Sequence, residues 1–280
     1  MTSPTRLSVV QSIYDARASK YDSEEGFHPT QAADYLRWMN LTPGLKILDL
    51  ACGTGAITIP AARAIGPSGK VVGVDISGDS LAIARLKAER ENLNIEFICH
   101  DIAALHEIKE LEGDFDLITC GSAFVLLQDY LAVMKGWAGL LKSEGRVIFD
   151  VPARGSMIVG YVLNIVGNKL EIPLPFNQTA LRSLEAVKQL LAEAGFEPSG
   201  CFTTKSYGDT ELVAENADEM FEGIISRKGW FGGVYASFND PTTVKEVAKE
   251  MFYVEMKKLA DEDGKIKEQL RFNMAVGRKV

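Results

Sequence analysis

The sequence is poor in cysteine and has no apolar run long enough to cross a membrane. Its longest apolar stretch, residues 156–167, is shorter than the roughly 20 residues that a transmembrane helix needs. The start of the sequence also lacks the apolar segment of a secretory signal peptide. We therefore expect a cytoplasmic protein with no membrane span, no disulfide framework and no metal site built on a CxxC pair. The four widely spaced cysteines, which we expect to be reduced, are Cys52, Cys99, Cys120 and Cys201.

Basic charge is scarce as well. The chain has 30 Lys and Arg against 38 Asp and Glu, which gives a net charge of −8, and it has no Lys/Arg-rich patch. Such a charge balance does not suit a polyanionic partner, so we expect no nucleic-acid binding. Hydrophobic residues make up 46% of the 280 residues, which is enough for one large core with insertions or for two domains.

Five short apolar segments between residues 46 and 152 alternate with segments of helical periodicity. This alternation is typical of a parallel sheet that is covered by helices on both faces. With two later strands, it predicts an α/β fold with a doubly wound, mostly parallel, seven-stranded sheet. The predicted strands are 46–51, 70–75, 94–101, 115–122, 145–152, 199–213 and 269–279, and the helices after residue 54 are 55–66, 77–93, 103–113, 129–145, 183–196 and 241–264.

The same pattern divides the chain into four parts. Residues 1–40 form an N-terminal helical segment, and residues 41–152 form the alternating core. A proline-interrupted stretch, residues 153–182, does not fit the alternation, and we interpret it as an insertion. Residues 183–280 continue the core and contain a second insertion near 206–240, which is rich in aromatic residues and glycine.

The stretch LDLACGTG combines a strand end, an acid and two glycines. Glycines at Gly53 and Gly55 let the backbone approach a ligand closely, and the following helix start offers free N–H groups. A dinucleotide fingerprint requires a third glycine where this sequence has Thr58. An acid at Asp49 would also repel a pyrophosphate. The turn therefore favours a ligand with an ammonium group and no phosphate.

Two more acids follow at the ends of the next strands. Asp75 lies 26 residues after Asp49, and Asp101 lies another 26 residues later. In an open parallel sheet, ligands bind beyond these carboxyl ends. Asp75 could accept both hydroxyls of a ribose, and Asp101 could accept an adenine amino proton, with the Ile102 N–H near the ring. The three strand ends together predict an adenosyl ligand.

Four motifs, DLACGTG, VVGVD, ICHDI and FDLITCGSAF, resemble the successive motifs of class I S-adenosylmethionine-dependent methyltransferases. The nearest resemblance is to the UbiE/Coq5-like group of small-molecule methyltransferases. The segment YDARASKYD (14–22) resembles the N-terminal cap of that group, which closes over the cofactor. The resemblance covers residues 14–152 and implies a Rossmann-like core, S-adenosyl-L-methionine as cofactor and S-adenosyl-L-homocysteine as product.

The resemblance also implies a role for each matching residue. One departure is Ser80, where the family often has a methionine against adenine. Residues at the first strand end would hold the amino-acid part of the cofactor, and those at the next two would hold ribose and adenine. The implied cofactor-binding residues are Asp49, Ala51, Gly53 and Gly55 for the amino-acid part, Asp75 for ribose, Ile76, Asp101 and Ile102 for adenine, Ser122 at the methyl-transfer opening and Tyr21 from the cap.

A general base is hard to identify among the three histidines. The segment after the fourth strand, residues 123–129, contains none, although many relatives have a histidine there. We single out His28 as catalytic or substrate-orienting, and the alternative is that it only begins a helix before Pro29. His100 could line the cofactor cleft or lean away from it, and His106 is expected at the surface.

The insertions supply apolar and aromatic residues whose purpose the sequence leaves open. They could wall an apolar substrate pocket under a mobile, glycine-containing lid, or they could form the core of a small subdomain. We expect a methyltransferase for a small, largely apolar molecule, such as one of secondary metabolism, with O- or N-methylation favoured. The alternative is that the bound sulfonium promotes cyclisation, rearrangement or decarboxylation without methyl transfer. The residues in question are Met157, Tyr161, Phe176, Trp230, Phe231, Tyr235 and Phe238, with Gly229, Gly232 and Gly233.

Overall fold

A computed structural model describes residues 5–22, 26–109, 111, 113–226, 234–239 and 245–280. The chain divides into two compact units. The first, which we call the core unit, comprises Tyr14–Val151, Leu181–Thr204 and Phe272–Val280. The second, which we call the accessory unit, comprises Met1–Ile13, Pro152–Ala180 and Lys205–Arg271.

The helices and strands follow one another in a largely alternating order. In chain order they are α1 (Arg6–Tyr21), α2 (His28–Met39), β1 (Lys46–Leu50), α3 (Thr58–Ile65), β2 (Lys70–Asp75), α4 (Gly78–Arg90), β3 (Ile95–Cys99), β4 (Phe115–Cys120), α5 (Tyr130–Leu140), β5 (Leu141–Pro152), α6 (Ile158–Lys169), α7 (Leu184–Glu193), β6 (Phe196–Pro198), β7 (Phe202–Thr203), β8 (Asp209–Val213), α8 (Ala217–Ile225), α9 (Lys245–Leu259), β9 (Lys265–Gln269) and β10 (Phe272–Lys279).

The core unit contains the predicted mostly parallel sheet. Its strand order is β3-β2-β1-β4-β5-β10-β6, and the pairs formed among β1 to β5 are all parallel. Strands β6 and β7 both pair antiparallel with β10, so eight strands occupy the seven expected positions. Proline has no backbone N–H to donate to a ladder, and Pro198 ends β6 before β7 begins. The strand order reverses between β1 and β4, which is where such sheets bind ligands.

Several predicted boundaries differ from the observed ones, each for a local reason. Helix α3 begins at Thr58 rather than near residue 55, because three residues of the preceding turn have positive φ. The predicted helix at 103–113 is limited, within the described residues, to the 3₁₀ turn Leu105–Glu107. Helix α5 ends at Leu140, since Leu141 already pairs with Phe115 in the sheet.

The accessory unit joins both predicted insertions in one hydrophobic core. Helices α6, α8 and α9 pack around residues such as Val162, Phe221 and Phe252, beside the two-stranded antiparallel sheet β8-β9. The second insertion was predicted near 206–240, but the grouped segment runs from 205 to 271 and so includes α9 and β9. The expected N-terminal cap is also divided, because α1 crosses the boundary between the units at Ile13.

The described aromatic residues of the insertions contribute to a hydrophobic core, as one of the two expectations requires, and the role of a substrate pocket stays a prediction. Tyr235 and Phe238 are buried in the accessory core, whereas Tyr161 and Phe176 are partly buried against it. Tyr235 also lines, with Met157, a cavity of about 240 Å³ within the accessory unit. The predicted lid residues at 229–233 lie outside the described residues. None of the described helices is long and apolar enough to span a membrane.

Candidate functional site

A pocket opens in the core unit beyond the carboxyl ends of β1 and β4, beside α2. Six residues predicted from the sequence line it, namely Tyr21, His28, Asp49, Ala51, Gly53 and Ser122. The other predicted residues lie around the turns that support it and do not line it: Gly55, Asp75, Ile76, Asp101 and Ile102. Their roles toward a cofactor therefore stay predictions, and the contacts below show what each does in the protein itself.

Asp49 anchors the turn at the end of β1. Its side chain is 2% exposed, and its two carboxylate oxygens accept hydrogen bonds from Thr58 Oγ1 at 2.5 Å and Thr119 Oγ1 at 2.7 Å. Burial raises the pKa of Asp49 to about 6, although both threonine hydroxyls act in the opposite direction. An acid with this pKa is largely ionised at neutral pH, so it can attract an ammonium group.

The two glycines of the turn have different purposes. Gly53 has φ +54°, and a Cβ built on it would meet no atom within 4 Å, so the space beside it is open. Gly55 has φ +88°, and a Cβ there would lie 2.9 Å from Ile59 Cδ1. Gly53 thus leaves room for a ligand to approach the backbone, whereas Gly55 lets α3 pack closely against the turn.

Asp75 connects the glycine turn to the start of α4. Its carboxylate accepts backbone hydrogen bonds from Gly53 and Ser77, both at 2.8 Å, and burial raises its pKa. Each oxygen retains a further lone pair, so a ribose hydroxyl could still bind. The unexpected Ser80 has a local explanation, because its hydroxyl lies 2.9 Å from Ser77 Oγ, which also caps α4 by accepting the Ser80 N–H at 3.1 Å.

The end of β3 is built around Asp101 and Ile102. One oxygen of Asp101 accepts the N–H of Ala103 at 2.9 Å, and the Ile102 carbonyl accepts the Trp137 Nε1–H at 2.9 Å. His100 leans toward Glu107, with 3.7 Å between Nε2 and Oε2, and does not line the pocket. Of the two alternatives for His100, the structure therefore favours the one in which it leans away.

The second half of α1 covers the turns at the ends of β1 and β2. The Asp15 carboxylate accepts a hydrogen bond from the Ser77 hydroxyl at 2.6 Å. Asp22 accepts the Thr54 hydroxyl hydrogen bond at 2.6 Å and forms an ion pair with Lys87 at 2.5 Å. Residues 14–22, which we call the cap segment, thus contact the strand ends that the sequence assigns to the cofactor.

Sequence reasoning identified His28 but missed the rest of a polar face on α2. His28, Gln31 and Tyr35 follow helical spacing, and all three line the pocket. The Tyr35 hydroxyl donates to Asp150 Oδ1 at 2.5 Å from a fully buried position, and the His28 ring lies 5.5 Å from that of Tyr21. The available signal was a row of polar side chains on the face of α2 that also carries buried Ala32 and Met39.

Asp150, at the end of β5, was also missed. It is 2% exposed, and its Oδ1 accepts the Ser122 N–H at 2.7 Å in addition to the Tyr35 hydroxyl. Ser122 has φ +54°, so this bond holds a left-handed backbone in place after β4, and the Ser122 hydroxyl donates to Gln31 Oε1. Burial raises the pKa of Asp150 to about 6.

Among the described residues, no cluster of three or more His, Cys, Asp or Glu side chains is arranged to hold a metal ion. The open space at Gly53, the acid Asp49 beside it and the acid Asp75 at the next strand end do fit an adenosyl sulfonium with a free amino group. The donor set of the pocket is therefore compatible with the cofactor that the motifs imply.

Comparison with known proteins agrees with this assignment. A family model described as "Methyltransferase domain" matches residues 41–158. The chain is 39% identical over 145 residues to demethylmenaquinone methyltransferase from Lactococcus lactis, which covers 50% of this chain and 56% of that protein. It is 32% identical over 162 residues to demethylmenaquinone methyltransferase from Bacillus cereus, which covers 55% of this chain and 68% of that protein.

Solved structures share the fold at lower identity. Magnesium protoporphyrin IX methyltransferase from Synechocystis, solved with S-adenosylhomocysteine bound, aligns with a TM-score of 0.55 and 21% identity over 72% of this chain and 94% of its own. A methyltransferase-like protein from Bacillus halodurans aligns with a TM-score of 0.56 and 18% identity. This alignment covers 89% of the present chain and 99% of that protein. The chain therefore belongs to the class I S-adenosylmethionine-dependent methyltransferases, with demethylmenaquinone methyltransferases among its relatives and S-adenosylmethionine as its cofactor.

Proposed function

We propose that the protein transfers the methyl group of S-adenosylmethionine to a small, largely apolar organic molecule. The observation that carries this proposal is the pocket in which Asp49 and the open space at Gly53 lie opposite the polar face of α2. Asp49 and the space at Gly53 suit the amino-acid part of the cofactor. The polar face of α2 offers hydrogen-bonding side chains to a methyl acceptor. Two different surfaces meet in one pocket, as a reaction between two ligands requires.

When bound, the cofactor supplies an electrophilic methyl group on a positively charged sulfur. The residues of this chain would bind and orient it. Asp49 would attract its ammonium group, Asp75 would accept its ribose hydroxyls, and Asp101 with Ile102 would contact the adenine edge. His28 would orient the acceptor from α2. Alignment of acceptor and methyl carbon is then the main contribution of the protein to the rate.

The substrate class follows from the relatives and from the composition of the pocket. The chain spans 56% and 68% of the length of the two demethylmenaquinone methyltransferases, so their substrate is a proposal here. We propose reduced demethylmenaquinone as the first acceptor to test, within a panel of hydroquinones, phenols and amines. A cytoplasmic location is part of the same proposal and can be checked by cell fractionation.

The decisive experiment incubates the protein with methyl-labelled S-adenosylmethionine and each acceptor, and measures the product mass. A gain of one methyl group supports the proposal. Consumption of an acceptor with no gain in mass would instead support the alternative in which the sulfonium promotes rearrangement or decarboxylation. No conversion of any acceptor would contradict the methyltransferase proposal for this panel.

Cofactor binding is tested separately by titration calorimetry with S-adenosylhomocysteine. Asp75→Ala and Gly53→Asp should each weaken binding by at least about 100-fold, because one removes the ribose acceptor and the other places a carboxylate in the open space. Glu89→Gln, an exposed carboxylate on α4, serves as the control and should leave the affinity unchanged. Unaltered binding by both site variants would overturn the residue assignment.

A further inference from the structure

Gln31 presents an unusual feature in the pocket. Its side chain is 2% exposed, yet it lines the pocket from α2. Its Oε1 accepts the hydrogen bond of the Ser122 hydroxyl, while its Nε2 has no hydrogen-bond partner among the described residues. A buried amide nitrogen without a partner costs folding free energy, so such groups are rare unless a ligand completes them.

The orientation of this amide is determined by its neighbours. Asp150 lies near enough to Gln31 for the amide to lower the pKa of the carboxyl, although the pair lacks the geometry of a hydrogen bond. If the amide were flipped, its oxygen would lie beside the carboxylate and the two would repel each other. The nitrogen therefore stays on the Asp150 side. One N–H is directed toward the carboxylate, and the other remains available as a donor.

The charge around Gln31 restricts what the N–H groups can bind. Asp150 is buried, and no Lys, Arg or His side chain in the described ranges forms an ion pair with it. Its hydrogen-bond donors in the described part of the chain, the Tyr35 hydroxyl and the Ser122 N–H, are both neutral. A second anion placed beside Gln31 would be repelled at short range in a poorly solvated site. A neutral oxygen would not be repelled.

We propose that Gln31 and Ser122 recognise a neutral oxygen of the methyl acceptor, a hydroxyl or a carbonyl, close to the atom that is methylated. This inference rests on the proposed methyltransferase function. Gln31 Nε2 donates to the acceptor oxygen, and the Ser122 hydroxyl, held by Gln31, forms the adjoining wall. Asp150 and Tyr35 are positioning residues, since they hold Ser122 and the end of β4 without contacting the acceptor.

The same donor chemistry could serve the carboxylate of the cofactor instead. The negative charge of Asp150 disfavours this, because it would place two carboxylates on either side of one amide. A third possibility is that Gln31 only packs between α2 and β4. These alternatives predict different effects on the affinity for S-adenosylhomocysteine and on the kinetics with the acceptor, so one set of variants separates them.

The test uses Gln31→Leu and Gln31→Met, which keep the volume and remove the donor, on the full chain. The acceptor is the phenol or hydroquinone of the panel with the highest rate, compared with the same compound lacking one hydroxyl. We expect kcat/KM for the hydroxyl-bearing acceptor to fall roughly 10- to 100-fold, while that for the analogue changes little. The dissociation constant of S-adenosylhomocysteine should change less than about 3-fold. Gln189→Leu, at an exposed position on α7, is the matched control.

Two results would overturn the inference while leaving the proposed function intact. A parallel loss of S-adenosylhomocysteine affinity would assign the donor to the cofactor carboxylate. Equal rates in wild type and both variants would assign Gln31 to packing alone. Thermal unfolding keeps the test valid, because a variant that is folded at the assay temperature has lost a contact and not its structure, even though Ser122 loses its acceptor on Gln31. Wild-type protein that methylates no acceptor would contradict the methyltransferase proposal itself.

Discussion

In the core unit, the acids Asp49, Asp75 and Asp101 lie at strand ends that are regularly spaced along the chain, and Asp49 lines the pocket. In the accessory unit, the residues that pack together come from three separate segments with no common spacing. The first arrangement follows from the geometry of a parallel sheet, which brings successive carboxyl ends to one edge. The second follows only from hydrophobic burial, which is not directional. The acids of the core unit are thus recognisable from local sequence, whereas the packing of the accessory unit depends on segments that are far apart in the chain.

The largest effect should come from the accessory core. Phe252 on α9 is fully buried, and Phe252→Ala should destabilise that unit by about 3–5 kcal/mol. We expect faster amide hydrogen exchange in α6, α8 and α9, with binding of S-adenosylhomocysteine by the core unit retained. Val247→Ala, at an exposed position on the same helix, is the control. Loss of exchange protection throughout the core sheet would show that the two units unfold as one.

In the core unit, substitution of Asp49 should raise the stability of the folded protein instead of lowering it. Its pKa is raised to about 6 by burial, so its protonated form is favoured in the folded protein. The protonated Asp49 therefore contributes to folding stability. This contribution is complete below about pH 4 and is lost as the pH rises through about 6. Asp49→Asn should therefore be more stable than wild type at pH 8, by up to about 3 kcal/mol, with a smaller difference at pH 4.5.

The measurement for Asp49→Asn is urea unfolding at the two pH values, together with calorimetry for S-adenosylhomocysteine. This variant should bind the ligand more weakly, because the charge that attracts the ammonium group of the ligand is gone. A variant that is less stable than wild type at pH 8 would contradict the predicted cost of this buried carboxylate. Thr119→Val should lower the stability of the protein, since it removes one of the two hydroxyls that favour the ionised form.

The two glycines of the turn allow a finer comparison within the core unit. Gly53→Ala should cost about 1 kcal/mol from the left-handed backbone alone. Gly55→Ala should cost about 2 kcal/mol, because the new Cβ also presses on Ile59. Ligand affinity should show the reverse order, with the greater loss at Gly53. Chemical denaturation and calorimetry measure both orders, and equal effects at both positions would contradict the separate roles.

The smallest effect should come from the cap segment. Asp22→Asn keeps an oxygen for the Thr54 hydroxyl but removes the ion pair with Lys87, which is partly exposed. We expect less than about 1 kcal/mol loss in stability. Association and dissociation of S-adenosylhomocysteine should both become faster, by about 2- to 5-fold, because the cap opens more readily. Stopped-flow fluorescence measures this, and unchanged rates would show that the cap does not limit access.

Much of the core unit could be predicted because its signals are local. Apolar runs of strand length, an acid and glycines at a strand end, and helical periodicity between them are all visible within a few residues. The polar face of α2 could not be understood in this way. Tyr35 meets Asp150, which is 115 residues away in the chain, and nothing near either residue indicates the other.

Two further errors arose where a local hydrogen bond or a tertiary contact overrode the hydrophobic periodicity. The periodicity of residues 103–113 suggested a helix, but Asp101 binds the Ala103 N–H and directs the chain into a turn. The second insertion was predicted to end at its last aromatic residues, near 240. Helix α9 was assigned to the core because its amphipathic pattern is the one expected of a core helix. Its buried residues Ala248, Phe252 and Met256 pack within the accessory unit instead.

The position of β10 in the sheet has a consequence for the order of folding. This strand lies between β5 and β6, yet in the chain it follows every residue of the accessory unit. As the polypeptide leaves the ribosome, the β6-β7 segment, which ends at Thr203, must wait for this neighbour until Phe272 and the residues after it have been synthesised, and β5, which ends at Pro152, must wait still longer. During that interval the sheet has an open edge, which makes the nascent chain a natural client for a chaperone that shields unpaired strands.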